Sequence, residues 1–208
     1  MKKLRFLIAS GPTQEPIDPV RFISNYSTGV MGNYLAQAAK KRGHRVAWVK
    51  CPAEARTARE LERKLRGLLP KKDVLVMAAA ICDARPRFFS RTKIKKDALR
   101  TIPLVKNPDI LAGLARKKKR EQVFIGFGLE STNLVASGFR KLVKKGLDLI
   151  VLQNVRKGDT PFGEKAVQAL VLGRDRAIRR FGRVSKSKLS GYLVREAEKL
   201  SAEKLKRE

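Results

Sequence analysis

The chain has 208 residues, 43% of them hydrophobic, which suits one folded domain with a proper core and argues against intrinsic disorder. No apolar run approaches the ~20 residues that span a bilayer, and two cysteines with one histidine cannot assemble a zinc site from Cys and His alone. Lys and Arg number 48 against 19 Asp and Glu, a net charge of +29 that draws in polyanions and steers anionic substrates. The basic residues are spread over nearly every segment, no RNP, KH or zinc-finger pattern occurs, and aromatics are only 6%, so nucleic acid stands as an alternative partner only. Cys51 and Cys82 read as reduced, packed thiols of a cytoplasmic protein.

In chain order, the N-terminal apolar run is too short for a signal peptide and predicts a first strand over 4–9. It is followed by a long connection, Ala9 to Gly32, rich in Pro, Gly and charged residues. Compact domains usually join a strand to a helix with ~2–6 residues, so a connection of this length points to binding. Ser27 and Thr28 supply cap residues for a helix over 29–42, which Gly43 stops. A strand over 45–50 completes a β-loop-α-β unit with parallel strands. A helix over 55–69 carries Leu61, Leu65, Leu68 and Leu69 on one face. The near-continuous apolar run 73–80 is a central parallel strand, and its small last residues Ala78, Ala79 and Ala80 admit a ligand or another backbone.

Residues 82–103 are irregular and basic and contain Lys93, Lys95 and Lys96. Asn107, Pro108 and Asp109 open a helix over 108–119. A strand over 123–128, a helix over 131–145 and a strand over 148–155 follow. Strands over 166–172 and 178–185 pair around a turn at Gly173–Asp175, and a terminal amphipathic helix covers 187–206. The alternation predicts an α/β fold: a Rossmann-like, doubly wound, mostly parallel sheet with a small C-terminal β/α appendage. It is read as a single domain over 1–208, with a core over about 4–155 and the appendage over about 156–208.

In such sheets ligands bind beyond the carboxyl ends of the strands. Those places are 10–28, 81–96, 128–132 and 153–163. The first loop offers backbone N–H groups near Gly11 and the start of helix 29–42, both suited to anions. It has neither G-x-G-x-x-G nor Walker A spacing. The lysines at 93–96 are either a solvated face or a group that neutralises charge on a polyphosphate. Lys141, Lys144 and Lys145 lie near a helix C-terminus, where cations are favoured for structural reasons as well. Asp83 could hold a ribose, a base or a metal, or cap a turn; Asp109 and Glu130 carry the same ambiguity.

Taken together, a signature loop and five further blocks in order resemble one family. Gly11 to Gly32 (GPTQEPIDPVRFISNYSTGVMG) is similar to the signature loop of the phosphopantothenate–cysteine ligases. AAAICDARP at 78–86, KIKK at 93–96, KNPDILA at 106–112, IGFGLES at 125–131 and KGLDLIVLQNV at 145–155 match further family blocks in the same order. The resemblance implies a dimeric Rossmann-like domain in coenzyme A synthesis. Its reaction joins 4′-phosphopantothenate and L-cysteine through an acyl-cytidylate, with CTP as co-substrate ahead of ATP, and Mg²⁺. In many bacteria the domain is fused behind a flavin-dependent decarboxylase; here the length implies a stand-alone ligase without FMN, a separate decarboxylase partner, and a cytoplasmic location with no membrane contact.

Carried over by position, Asn25 contacts the reacting carboxylate, Arg21 supports it, and Ala79 and Ala80 complete the substrate site. Lys93 serves the triphosphate and the second half-reaction. Gly11, Asp83, Asn107, Pro108, Asp109, Ile110, Phe127, Lys141 and Lys145 join Lys93 in the nucleotide site; the metal ligands are not assigned. The chain departs from the family pattern at Gln14 (usually Arg), Val30 (Lys), Ala84 (Tyr), Gln153 and Asn154 (Asn-Asp) and Val167 (Asn). These departures bear on affinity, metal handling and nucleotide choice. They keep open a nucleotide-binding relative without full ligase activity, and they leave Asn25, Arg21, Lys93 and Asp83 in place.

Overall fold

The computed structural model describes residues 2–155 and 160–206. In chain order it runs β1 (Arg5–Pro12), β2 (Gln14–Pro16), β3 (Phe22–Ser24), α1 (Val30–Lys41), β4 (Arg45–Lys50), α2 (Ala58–Leu68), β5 (Val74–Ala80), β6 (Ala84–Pro86), β7 (Leu104–Lys106), α3 (Ile110–Ala115), β8 (Val123–Glu130), α4 (Leu134–Lys144), β9 (Leu149–Asn154), β10 (Val167–Gly173), β11 (Ile178–Val184) and α5 (Lys186–Leu205). A seven-stranded sheet has the order β11-β10-β9-β8-β5-β1-β4. The five strands from β4 to β9 are parallel, and β10 and β11 continue the sheet in antiparallel fashion.

Side chains on a strand alternate between faces, and here both faces are apolar. Leu7, Leu75, Phe124, Ile150 and Leu172 lie under α2, α3 and α4, whereas Phe6, Ile8, Val76, Ile125 and Val151 lie under α1 and α5. This double burial explains why the core strands read as unbroken apolar runs. The Rossmann-like α/β architecture expected from the sequence is the one observed. The chain places its second core strand on one side of β1 and all later ones on the other. The winding therefore reverses between β1 and β5, and a crevice opens there at the carboxyl edge. The last two strands and α5 belong to the same sheet and its core: Val167, Ala169, Leu189, Leu193 and Ala197 are buried with the residues of β1 and β5.

Several element boundaries differ from the sequence expectation, each for a local reason. Neither Ser27 nor Thr28 caps α1; its cap is Gly29, at φ 74°, with no side-chain cap bond. α2 starts at Ala58, not 55, because Thr57 and Glu60 form a capping box. α3 starts two residues after Pro108, since the Asp109 carboxylate accepts from the Ala112 N–H at 3.2 Å. Asn133, at φ 49°, delays α4 to Leu134. Two small hairpins, β2–β3 and β6–β7, occupy stretches expected to be irregular.

Polar ties fix the layers. His44 Nδ1 accepts from the Leu4 N–H at 3.2 Å, which leaves Nε2–H to donate to Glu198 at 2.7 Å. Arg42 binds the same carboxylate, so the end of α1 is anchored to α5. At the amino edge, buried Asp148 accepts from the Phe124 N–H and pairs with Lys118 at 2.6 Å and Lys204 at 2.8 Å. Cys51 and Cys82 are buried and unpaired, and burial pushes the Cys51 thiol up to about 12. Among the described residues no helix is long and apolar enough to cross a membrane.

Two glycines in helices have opposite surroundings. A Cβ at Gly32 would overlap the Ser10 side chain, whereas one at Gly67 meets nothing within 4 Å. Gly32→Ala is expected to cost about 1–3 kcal/mol by overpacking. Gly67→Ala is expected to gain up to ~1 kcal/mol from helix propensity. Urea unfolding midpoints measure both, and a stable Gly32→Ala protein would refute the contact.

Candidate functional site

The site is built where β1 and β5 diverge. Near the end of β1 lies Gly11, at φ 86°, where any Cβ would strike the Cys51 carbonyl. A Cβ on Gly29 would lie 3.3 Å from Gly11 Cα, so α1 begins directly against the end of β1. Trp48 Nε1–H donates to Ser10 Oγ at 2.8 Å and fixes that corner. α1 carries no acidic residue in its first turn, and its leading N–H groups face the carboxyl edge of the sheet without a side-chain cap. Such an end favours an anion.

A cleft of about 380 Å³ opens beside it. Its walls include Asn25, Gly29, Ala79, Ala80, Asp83 and Phe127. Pro161, Phe162, Gly163, Gln153 and Lys186 close the far side. A second hollow of about 140 Å³ adjoins it and is lined by Asn107, Pro108, Asp109 and Ile110. Ile81, Asp83, Leu111 and Lys145 line both, which joins the two hollows.

Most of the sequence-selected residues meet here. Asn25 Nδ2 donates to the Ala80 carbonyl at 3.2 Å and lies 3.8 Å from Cys82 Sγ, so its amide is held at the tip of β5. Asn107 bridges the Cys82 carbonyl (2.8 Å) and the Arg85 guanidinium (3.1 Å), and its N–H donates to the Asp83 carbonyl at 2.8 Å. Asp109 both caps α3 and pairs with Lys145 at 3.3 Å. Lys141 pairs with Glu130 at 2.5 Å and holds that carboxyl below the usual range.

Four selected residues line neither hollow: Lys141, held on Glu130, and Gly11, Arg21 and Lys93. Gly11 lies behind the wall, packed on Cys51 and Gly29. Arg21 is engaged by Asp18: its Nε and Nη2 donate to one carboxylate oxygen at 3.0 and 2.6 Å, and Nη2 also donates to the Ile94 carbonyl at 2.7 Å. Arg21 thus ties the first loop to the segment carrying Lys93, which is exposed and lines neither hollow. The Arg21 guanidinium, with backbone N–H groups of Val20, Arg21 and Ile94, keeps Asp18 well below the usual carboxylate range although its side chain is fully buried.

Sequence reasoning did not select Lys186 or the wall formed by Pro161–Gly163, and it noted Gln153 only as a departure from the family pattern. Lys186 comes from the start of α5, in a stretch where lysines are common, and nothing in its neighbours marks it. The 153–163 loop was noted as a ligand-side connection; its residues 156–159 lie outside the described residues. Among the described residues no three His, Cys, Asp or Glu side chains gather as a metal cage. A magnesium ion carried by a nucleotide needs only one or two carboxylates, and exposed Asp83 on the shared wall meets that requirement.

A profile of the DNA/pantothenate metabolism flavoprotein C-terminal domain matches residues 1–200. Among curated relatives, the coenzyme A biosynthesis bifunctional protein CoaBC of Escherichia coli (strain K12) is 37% identical over 170 residues, 74% of this chain and 42% of that protein. The protein of the same name from Borreliella burgdorferi is 32% identical over 209 residues, 94% of this chain and 52% of that protein. The chain therefore spans about half the length of these relatives. A crystal structure of the C-terminal domain of a CoaBC protein has a TM-score of 0.78 at 24% identity, covering 98% of this chain and 100% of that one, which shows a shared fold.

Asp18→Asn is expected to release the 91–96 strap. Native-state trypsin should then cut there faster by about tenfold or more, since a local opening energy falls by at least ~1.4 kcal/mol. In the native protein the Asp18 contribution is complete above the ordinary Asp value of about 4 and declines as pH falls below it. Mass spectrometry of the early fragments identifies the cut, and an unchanged rate would remove Asp18 from this role.

Proposed function

Because the chain belongs to the DNA/pantothenate metabolism flavoprotein C-terminal domain family, we propose that it is a nucleotide-dependent ligase of coenzyme A synthesis that joins 4′-phosphopantothenate to L-cysteine. The observation that carries this reading is the placement of Asn25. A neutral amide is tethered to the small-residue end of β5, in the same cleft as Asp83, Phe127 and Lys145. A carboxylate nucleophile needs a donor that orients it without quenching its charge, and an amide N–H does this where a lysine would not.

In the first half-reaction a carboxylate oxygen of 4′-phosphopantothenate attacks the α-phosphorus of the triphosphate. The bond to the pyrophosphate oxygen breaks and an acyl-nucleotide forms. CTP, giving an acyl-cytidylate, is proposed ahead of ATP. In the second, the cysteine amine attacks the acyl carbon, nucleoside monophosphate leaves, and the amine proton passes to solvent. Asn25 orients the acyl group over the open floor of Ala79 and Ala80. The hollow at Asn107–Ile110, with Phe127, takes the nucleoside. Lys141, Lys145 and the strap-borne Lys93 face the phosphates, and Asp83 supplies the protein's carboxylate toward Mg²⁺, which offsets triphosphate charge when bound.

A homodimer accompanies this proposal. Val20 (62% exposed) lies between β2 and β3 and Phe88 (73%) between β6 and β7, with half-exposed Phe22 and Leu104 on the hairpin strands, and Tyr26 (89%) follows β3. The Ser90 N–H donates to the Ile17 carbonyl, so these loops adjoin one another. An apolar patch of this kind marks an interface. It lies beside Arg21, which supports placing Arg21 of one copy near the site of the other. A flavin-dependent decarboxylase is the proposed consumer of the product.

Pyrophosphate release with 4′-phosphopantothenate, cysteine and Mg²⁺ across a panel of nucleoside triphosphates tests the reading; silence with every nucleotide would sink it. Asn25→Asp should lower turnover by at least ~100-fold, as loss of an oriented donor does. Lys93→Gln should slow the second step by about tenfold while the first persists. Near-normal turnover in Asn25→Asp would show that the acyl group lies elsewhere.

A further inference from the structure

The proposed chemistry uses only a small part of the net charge of +29. The cleft and its adjoining hollow are lined by two lysines, Lys145 and Lys186, and by no arginine. Two larger hollows, which share no lining residue with them, carry far more. One, of about 1080 Å³, lies between α1, β11 and α5. Lys41, Arg42, Arg179, Lys188 and Arg195 line it, and no carboxylate does. The other, of about 680 Å³, lies at the amino edge of the sheet and includes Lys118, Asp148 and Lys204. Seven cations and four carboxylates line it, so it too is positive. Arg179 and Tyr192 line both hollows, which joins them into one trough along α5.

These cations come from positions 41 to 204, so no charge run marks the trough in the sequence; the fold collects them. On α5, Lys188, Tyr192, Arg195 and Lys199 follow at spacings of four, three and four, which puts them on one face of the helix. Lys188 stands in the first turn, where the helix dipole disfavours a cation, and that turn has no acid. Arg42 is held by Glu198, whereas Arg179, Lys188 and Arg195 are exposed and make no ion pair among the described residues. Where the hollows meet, Phe181 and Tyr192 pack edge to face with centroids 5.1 Å apart. The Arg179 guanidinium lies 5.7 Å from the Phe181 centroid.

Surface lysines are ordinarily just solvated, and edge strands such as β11 carry charge that prevents pairing with another sheet. Neither accounts for a hollow without a carboxylate that joins a second positive hollow at a pair of aromatic rings. The stretch of α5 from Lys188 to Lys204 is about 24 Å long. A small ligand buries most of its surface in its site, which a trough of this length does not offer; a chain of phosphodiesters is charged along its whole length. A duplex is read by an element that protrudes into its grooves. A trough instead receives a strand, whose open bases stack on aromatic rings. We infer that the trough along α5 binds single-stranded nucleic acid, with Arg179, Lys188 and Arg195 on its phosphates and Tyr192 against a base. This site is separate from the cleft and does not rest on the ligase reading.

The test is fluorescence anisotropy with a labelled single strand of about 12 nucleotides, as RNA and as DNA, over a series of KCl concentrations. A trough variant, Arg179→Gln with Lys188→Gln and Arg195→Gln, is compared with a control that removes the same charge in and just after α2, on the opposite face of the sheet. The control is Arg59→Gln with Arg63→Gln and Lys71→Gln, all exposed. The wild type should bind, and the trough variant should bind at least about tenfold more weakly, with a slope of log affinity against log salt shallower by about 2. The control should keep the wild-type slope, and both variants should keep the wild-type unfolding midpoint, because only exposed side chains change. Tyr192→Leu should weaken the strand by about tenfold, as loss of a stacked base does, and leave a duplex of the same sequence unaffected. Binding of either the RNA or the DNA strand upholds the site, and the tighter of the two identifies the sugar it favours. No binding in the wild type, or equal losses in the trough and control variants, overturns it, the latter because net charge alone then suffices. A duplex or a poly-glutamate peptide held as tightly as the strand, with the same loss in the trough variant, overturns the single-strand assignment.

Discussion

The contact between the end of β1 and the start of α1 governs the rest of the molecule. Gly32 sits on the Ser10 side chain, Gly29 touches the Gly11 backbone, and Gly11 abuts the Cys51 carbonyl. A Cβ at Gly11 would strike the Cys51 carbonyl, one at Gly32 would overlap the Ser10 side chain, and one at Gly29 would crowd the Gly11 backbone. The result is a helix that begins level with the carboxyl edge of the sheet rather than above it. Its free N–H groups therefore border the crevice that the reversal of winding opens between β1 and β5. A side-chain cap would have satisfied those groups internally; a left-handed glycine leaves them for a ligand.

The same contact explains the length of the first connection. Because α1 is pressed onto β1, the intervening residues cannot pass between them and are extruded as β2–β3. That hairpin is tied back by Asp18 and Arg21, whose ion pair also grips the Ile94 carbonyl. Two long connections, remote in sequence, become one structure held by one buried carboxylate. The polar inner side of this structure faces the strap with Lys93, and its outer side is apolar and exposed.

The sheet was legible because its five parallel strands are buried on both faces, so runs such as 73–80 have no alternating pattern to confuse them. The terminal hairpin was legible from the turn at Gly173–Asp175. The two small hairpins were not, because three-residue strands, β2 and β6 ending in proline, are too short to show a period. The start of α2 was misplaced although Thr57 and Glu60 spell a capping box, a signal that outranks the upstream Ala55. Within the site, Asn25, Asp83 and Lys145 were found through ordered motifs. Lys186 was invisible because its distinction is burial on two carbonyl oxygens, a property of the folded surroundings and not of its neighbours in sequence. Arg21 was found, but its engagement with Asp18 could not be read from their spacing alone.

Two cations proposed for the nucleotide end are already paired, and this bears on how the site would work. Lys141 and Lys145 already hold carboxylates, Glu130 and Asp109. Both pairs are partly exposed, and such pairs contribute only about 0–1 kcal/mol. A triphosphate can therefore take these lysines over at small cost, and its departure as pyrophosphate and monophosphate restores the original pairs. On the proposed reading, the Asn25 amide at the tip of β5 holds the acyl group while the nucleotide end exchanges. A ligase with two half-reactions needs this asymmetry: the acyl intermediate must remain in place after pyrophosphate leaves and before cysteine arrives.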